Sequence, residues 1–205
     1  MSYKVITISR QYCTGGGEIG KRLAEKLGIA CYDREIIAKV AAESGLCEKF
    51  VEEKSEYGNK VAIDAFFLTG MYYNAPSIED NIWTIQHKLI EDIAEREPCV
   101  IVGRCADYIL RNRTDVMNVF LHADLKYRIE RLKLETDAKI LDPERFLKEK
   151  DKRRSAYVQF YTDMKWGDSK NYDITLDAGT VGTEKCVQII ADLYNGKCGE
   201  SQSVL

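Results

Sequence analysis

Short apolar or β-branched runs alternate along this chain with longer stretches in which apolar residues return every three or four positions. Residues Lys4–Ser9, Ala30–Tyr32, Cys99–Val102, Val116–Leu121 and Asp173–Leu176 read as strands. Helical spacing appears over Glu18–Leu27, where Ile19, Leu23, Ala24 and Leu27 share a face, and over Ile36–Glu43. A third helix opens at Ser77 as its N-cap, carries Ile78, Ile82, Ile85, Leu89, Ile93 and Ala94, and runs to about Arg96 before Pro98. Further helices are expected over Asp124–Glu135, from Asp142-Pro143-Glu144 to about Tyr161, and over Gly182–Tyr194. Glu48–Tyr57 is charged and reads as helical, while Gly58–Pro76 takes no definite form from its pattern. The strands show no regular alternation of apolar and polar residues, which is the mark of a parallel sheet covered on both faces. Five such strands separated by helices predict a three-layer α/β/α fold around a five-stranded parallel sheet.

Parallel sheets place ligands at the carboxyl ends of their strands, which directs attention to Ser9–Gly17, Asp33–Glu35 and Gly103–Asp107. The first contains Cys13-Thr14-Gly15-Gly16-Gly17 between a strand and a helix. Three glycines and a helix start suit the wrapping of a phosphate by main-chain amides; a tight turn is the plainer alternative. The standard Walker pattern is absent, because Gly16 stands where its lysine belongs and Gly17 and Glu18 where its hydroxyl belongs. Positive charge must then come from elsewhere, with Arg10, Lys21 and Arg22 as candidates, or be missing. Arg104, after the apolar run ending at Gly103, suits a bidentate phosphate contact, or else a surface pair with Asp107. Asp33 suits a proton acceptor or the holder of a metal-bound water, and suits the cap of the next helix equally well.

With 205 residues, of which 45% are hydrophobic, the chain can bury one sizeable core with a small subdomain. A net charge of −3 speaks against a protein that coats nucleic acid. The sequence has no apolar run of membrane-spanning length and no leader pattern, which predicts a cytoplasmic protein. Seven cysteines without a Cys-x-x-Cys pair, and two histidines, His87 and His122, give no zinc spacing and no disulfide framework. Cys13 alone stands where a helix start can activate a thiol, against the simpler reading of a small loop-filling residue. The segment Lys148–Arg154 reads as a solvated helix face, as a lid carrying arginines onto a transferring phosphoryl group, or as an RNA-binding face. Arg128 and Arg131, three apart on one helix face, can look into the same cleft.

These segments together resemble the cytidylate kinase-like branch of the P-loop nucleoside monophosphate kinases over about residues 4 to 195. The carrying motifs are Ile8–Gly28, Tyr32-Asp-Arg-Glu-Ile36, Ile101–Leu110, Val119–Asp124 with Arg128 and Arg131, Asp151–Tyr157 and Lys165–Asp173. The resemblance implies a single domain over 1–195, with an acceptor-binding insertion near 36–76, a lid near 142–170 and a flexible tail over 196–205. It implies transfer of a γ-phosphoryl group from ATP, or another nucleoside triphosphate, to a CMP-like or other small acceptor, with Mg²⁺. Donor phosphates would fall to Arg10, Cys13, Thr14, Gly15, Gly16, Gly17, Glu18 and Lys21. Acceptor contacts would fall to Arg34, Gly103, Arg104, Asp107, Arg128 and Arg131, and catalytic roles to Arg153, Arg154, Arg104 and Asp33. No membrane or nucleic-acid partner is implied, and self-association stays open. The chain departs from the family at Cys105, where an aspartate is expected, and at Gly17, where many relatives carry arginine. Without the Walker lysine, a nucleotide-binding sensor with little or no turnover is the alternative to an active kinase.

Overall fold

The computed structural model describes residues 3–49, 51–52, 78–136 and 140–196. Five strands, β1 (Val5–Arg10), β2 (Ala30–Tyr32), β3 (Cys99–Val102), β4 (Val116–His122) and β5 (Ile174–Asp177), form one parallel sheet in the order β2-β3-β1-β4-β5. The helices are α1 (Gly16–Leu27), α2 (Arg34–Ser44), α3 (Ile78–Arg96), α4 (Ala106–Ile109), α5 (Leu125–Glu135), α6 (Pro143–Thr162), α7 (Ala178–Val181) and α8 (Thr183–Tyr194). The expected α/β architecture and all five strands are therefore present, each strand within a residue or two of its predicted limits. The Ser77 cap, most of the expected acceptor insertion and nearly all of the tail lie outside the described residues. The four-residue α7 was not predicted; the Asp177 carboxylate builds it by accepting the amides of Gly179 and Thr180.

Two apolar layers hold the sheet. Ile6, Ile8, Val100, Val102, Val119 and Leu121 pack against Ile19 and Leu23 of α1 and Val187 and Ile190 of α8. Val5, Cys99 and Ile101 face the other way, against Ile36 and Val40 of α2 and Ile82, Ile90 and Ile93 of α3. Each such side chain contributes about 1.5–3 kcal/mol when fully buried. Gly20 lets α1 lie close on the sheet: a Cβ there would stand 2.8 Å from a methyl of Val102.

The absence of alternation in the strands holds less well than expected. Thr7 and Ser9 of β1 interrupt the apolar run at every second position, and Thr7 donates its hydroxyl to the Asn118 side chain at 2.7 Å. One face of the central strand is thus polar toward its carboxyl end. That face carries the site.

The helix α3 shows a second difference. Its buried stripe is Ile82, Gln86, Ile90, Ile93 and Ala94, with Ile85 and Leu89 only partly buried and Ile78 exposed. The helix is rotated from its hydrophobic pattern so that a glutamine occupies the middle of the inward row.

Candidate active site

β1 is central, with β3 on one side and β4 on the other, so the chain leaves the sheet in opposite directions around its carboxyl end. A crevice follows from that topology. The strand runs through Arg10 into a turn with Cys13 and Gly15 in the left-handed region, φ 59° and 82°, and α1 begins at Gly16. Thr14 is buried and donates its hydroxyl to the Gln11 carbonyl at 3.0 Å, which commits it to holding the turn. Burial and the neighbouring Glu135 push the Cys13 thiol up to about 12, so it stays protonated. The loop-filling reading of Cys13 is the one that the geometry favours.

Each of the three glycines seats a charged side chain. A Cβ at Gly15 would lie 2.9 Å from the Arg131 guanidinium carbon, one at Gly16 would lie 2.8 Å from Cγ of Arg10, and one at Gly17 would lie 3.0 Å from an Asp33 carboxylate oxygen. Only Gly15 has the positive φ that the loop reading anticipated. The other two are small because neighbours need the room.

Arg131 reaches the loop from α5 and is held by Glu18 at 2.6 Å and Glu135 at 2.5 Å. Partial burial works against its charge, but the two carboxylates outweigh that and raise its pKa further. Glu18 is shifted down in return, chiefly by its hydrogen bond from Arg131. Arg128 is buried and pairs with Asp151 of α6 at 2.5 Å, while the other Asp151 oxygen accepts the Tyr12 amide at 2.8 Å. Expected among the acceptor contacts, Arg128 and Arg131 instead lie against the glycine loop. One fastens α5 and α6 to it, and the other covers it.

A second cluster forms between the ends of β1 and β3. Gly103, Arg104 and Cys105 are all left-handed, with φ of 76°, 60° and 53°. Two consecutive non-glycine residues there are costly and persist where surrounding structure imposes them. The Arg10 guanidinium lies directly against Gly103, leaving no room for a side chain. Arg10, Arg104 and Arg154 line one small cavity of about 20 Å³ with Ser9, Tyr157 and Trp166. Arg154, buried on α6, also donates to the Arg10 carbonyl at 3.0 Å. A pair of Arg104 with Asp107 does not occur. Asp107 is buried behind β1, where it accepts from the Ser9 hydroxyl at 3.2 Å and the Tyr108 amide at 3.1 Å. Desolvation raises its pKa despite these bonds.

Other expected residues stand apart. Arg153 is on the outer side of α6, paired with Glu149 at 2.5 Å, so of the two lid arginines only Arg154 reaches the cleft. Along α6, Lys148 pairs with Glu144 and Arg153 with Glu149, while Asp151 turns to Arg128 of α5. Lys21 and Arg34 are exposed, Lys21 one turn into α1 and Arg34 at the start of α2. Asp33 does not cap α2; the Glu35 carboxylate accepts its amide instead, and its own carboxyl stands at Gly17. A broader groove of about 640 Å³ opens at the ends of β4 and β5, bordered by Gln11, His122, Asp124, Trp166 and Asp177.

Sequence reasoning missed Ser9, Gln86, Tyr157 and Trp166 of this region. Ser9 had a signal, as the second polar residue in the alternation of β1, and Gln86 had one as the neighbour of an apolar stripe. Tyr157 and Trp166 lie on segments brought in only by tertiary packing.

The cytidylate kinase-like family matches residues 5–180. The chain belongs to that family. Its members' fold is shared by solved structures that align with nearly the whole chain. An uncharacterised protein from Eubacterium ventriosum ATCC 27560 is 26% identical, with a TM-score of 0.70, covering 93% of this chain and 98% of its own. Shikimate kinases from Bacteroides thetaiotaomicron and Acinetobacter baumannii, each 14% identical, align with TM-scores of 0.56 and 0.53. The former covers 93% of this chain and 98% of its own, the latter 96% and 95%. They share the fold with this kinase-family chain. No curated protein matches it. Among the described residues, no helix is long and apolar enough to cross a membrane, and no three His, Cys, Asp or Glu side chains converge as a metal site.

Proposed function

We propose that the protein transfers the γ-phosphoryl group of a nucleoside triphosphate, ATP in the first instance, to a nucleoside monophosphate of the CMP type. The observation that carries the reading is the convergence of Arg10, Arg104 and Arg154 on one cavity beside a glycine loop covered by Arg131. In-line transfer breaks the bond from the γ-phosphorus to the bridging oxygen of the leaving diphosphate and forms one to an acceptor phosphate oxygen. The charge that accumulates is negative and spread over equatorial oxygens, so fixed guanidinium groups are what the step requires. An acceptor phosphate carries its own nucleophilic oxygen and needs no base. Asp107, buried and raised in pKa by desolvation, is accordingly not asked to be one.

In this reading Arg131 and Arg10 supply the charge that a lysine gives the standard loop, and Arg104 with Arg154 orients the acceptor phosphate. The groove at the ends of β4 and β5 has room for the donor nucleoside. Asp33 suits the divalent cation that a nucleoside triphosphate carries, since its carboxylate faces Gly17 and Mg²⁺ needs only one or two protein carboxylates beside phosphate and water. That ion would neutralise charge between the β- and γ-phosphates.

A second reading rests on the two carboxylates that lock Arg131 over Gly15: a nucleotide-binding sensor in which the loop opens without turnover. The test is a coupled ADP-release assay with ATP, Mg²⁺ and a panel of nucleoside monophosphates, run beside thermal-shift binding. ADP release that depends on the acceptor supports the kinase. Thermal stabilisation by nucleotide with no release supports the sensor, and no stabilisation or release removes both.

A further inference from the structure

The bonds that hold Arg131 fall on different nitrogens of its guanidinium, and the two carboxylates among its partners come from different helices. Its Nε donates to Glu135, four residues along α5, at 2.5 Å, and a terminal nitrogen donates to Glu18 of α1 at 2.6 Å. The Tyr127 phenol also bonds to it. A guanidinium takes a phosphate chiefly through its terminal nitrogens, so the two carboxylates have unlike consequences for an anion arriving at the loop. Glu135 turns the fork and leaves its tip to other partners. Glu18 takes the tip itself.

The helical ladder of α1 opens with the Ile19 amide on the Gly15 carbonyl at 2.9 Å, which leaves the amides of Gly16, Gly17 and Glu18 outside it. The Arg131 guanidinium lies on Gly15 beside them. Amides at a helix start and a guanidinium favour negative charge, and the carboxylate of Glu18 answers that preference from within the chain. Its other oxygen is held by Arg22 at 2.6 Å. When a phosphate takes over the tip of Arg131, Glu18 therefore keeps Arg22 as its counter-ion, and the exchange strands neither a carboxylate nor a guanidinium.

We propose that Glu18 is an internal competitor for the donor phosphates: its carboxylate holds the tip of Arg131 until a phosphate oxygen replaces it, while Glu135 keeps the guanidinium aimed at the loop. The proposal rests on the phosphotransferase reading above and adds the restraint that a donor has to displace.

The test measures binding of inorganic pyrophosphate and of ADP by calorimetry in the wild type, Glu18→Gln and Glu135→Gln, with ADP release from ATP read beside it. Both substitutions remove one negative charge from the same arginine, so a mere gain in positive field tightens both variants alike. Competition separates them. Pyrophosphate should bind about tenfold more tightly to Glu18→Gln than to the wild type, and more weakly to Glu135→Gln, whose fork has lost its orientation. The proposal stands if the gain in Glu18→Gln exceeds any gain in Glu135→Gln by about threefold or more, and any smaller margin overturns it. If a glutamine variant does not fold, the alanine at that position is read by the same criterion. ADP release without that margin removes the role of Glu18 and leaves the kinase reading in place. The margin without ADP release does the reverse, and pyrophosphate and ADP that bind to no variant remove both.

Discussion

The glycine loop and the β3-end cavity lie side by side at the head of β1, yet different bonds hold their charged groups. On the loop side, cations meet carboxylates: Arg131 is held by Glu18 and Glu135, and Arg128 by Asp151. On the cavity side, bonds to neutral groups take part in holding two of the charged residues. Arg154 donates to a main-chain carbonyl and lies over the Tyr12 ring at 5.3 Å, and Asp107 is held by a hydroxyl and an amide. The difference teaches which part is fastened and which is receptive. Ion pairs assemble the loop and α5–α6 in the absence of ligand, while three guanidinium groups gathered on one cavity suit an arriving phosphate.

The comparison is most severely tested at Asp151→Asn, which leaves Arg128 buried without its counter-charge. Breaking a buried pair from one side should cost about 3–5 kcal/mol, read from urea unfolding, if the pair fastens the loop as described. Next comes Arg104→Ala. Losing a guanidinium from the cavity should lower kcat/KM for ADP release by roughly 10²–10³-fold. A loss in thermal stability matching the loss in activity would make Arg104 structural and erase the distinction between the regions.

Gly15→Ala should cost about 1–2 kcal/mol, because its φ of 82° strains any L side chain and the new methyl displaces Arg131. Stability against pH sharpens the contrast further. The folded protein holds the Asp107 proton more tightly than the unfolded chain does, so this group favours folding at low pH and loses that advantage as pH rises through its raised folded pKa. Glu18 has the opposite sign: its contribution is present above the unfolded pKa and disappears as pH falls through its lowered folded value. Asp107→Asn should therefore stabilise the protein at neutral pH relative to wild type, with the gain shrinking on acidification. Calorimetric melting at pH 4 to 8 reads both slopes. The smallest effect belongs to Arg153→Ala, expected within about 0.5 kcal/mol of wild type and with unchanged turnover, because its pair with Glu149 is solvent-exposed.

Much of this is legible without coordinates where one segment decides its own fate. Short apolar runs, β-branched in all but Ala30–Tyr32, marked the five strands, and the Asp142-Pro143 start and the glycine at 28 fixed helix ends within a residue or two. The site was legible in part: Arg10, the three glycines, Gly103 and Arg104 follow directly from strand ends. That Arg128 meets Asp151 and Arg131 meets Glu18 was not legible, because helical spacing gives a shared face but not the neighbour it meets. Arg153 and Arg154 were indistinguishable in a run of charges, since a rotation of 100° about the axis of α6 separates a buried residue from a solvated one. Gln86 was passed over because the hydrophobic pattern points α3 some way round from its packed orientation.

The sequence by itself determined the sheet, the succession of elements and the glycine loop, because backbone preference and hydrophobic period act over a few neighbouring residues. Only the tertiary structure decided which cations enter the cleft, which carboxylates restrain them and that a glutamine amide is buried against the Arg104 carbonyl. Most of those outcomes join residues 18 to 144 positions apart in the chain, and burial and charge pairing act through space.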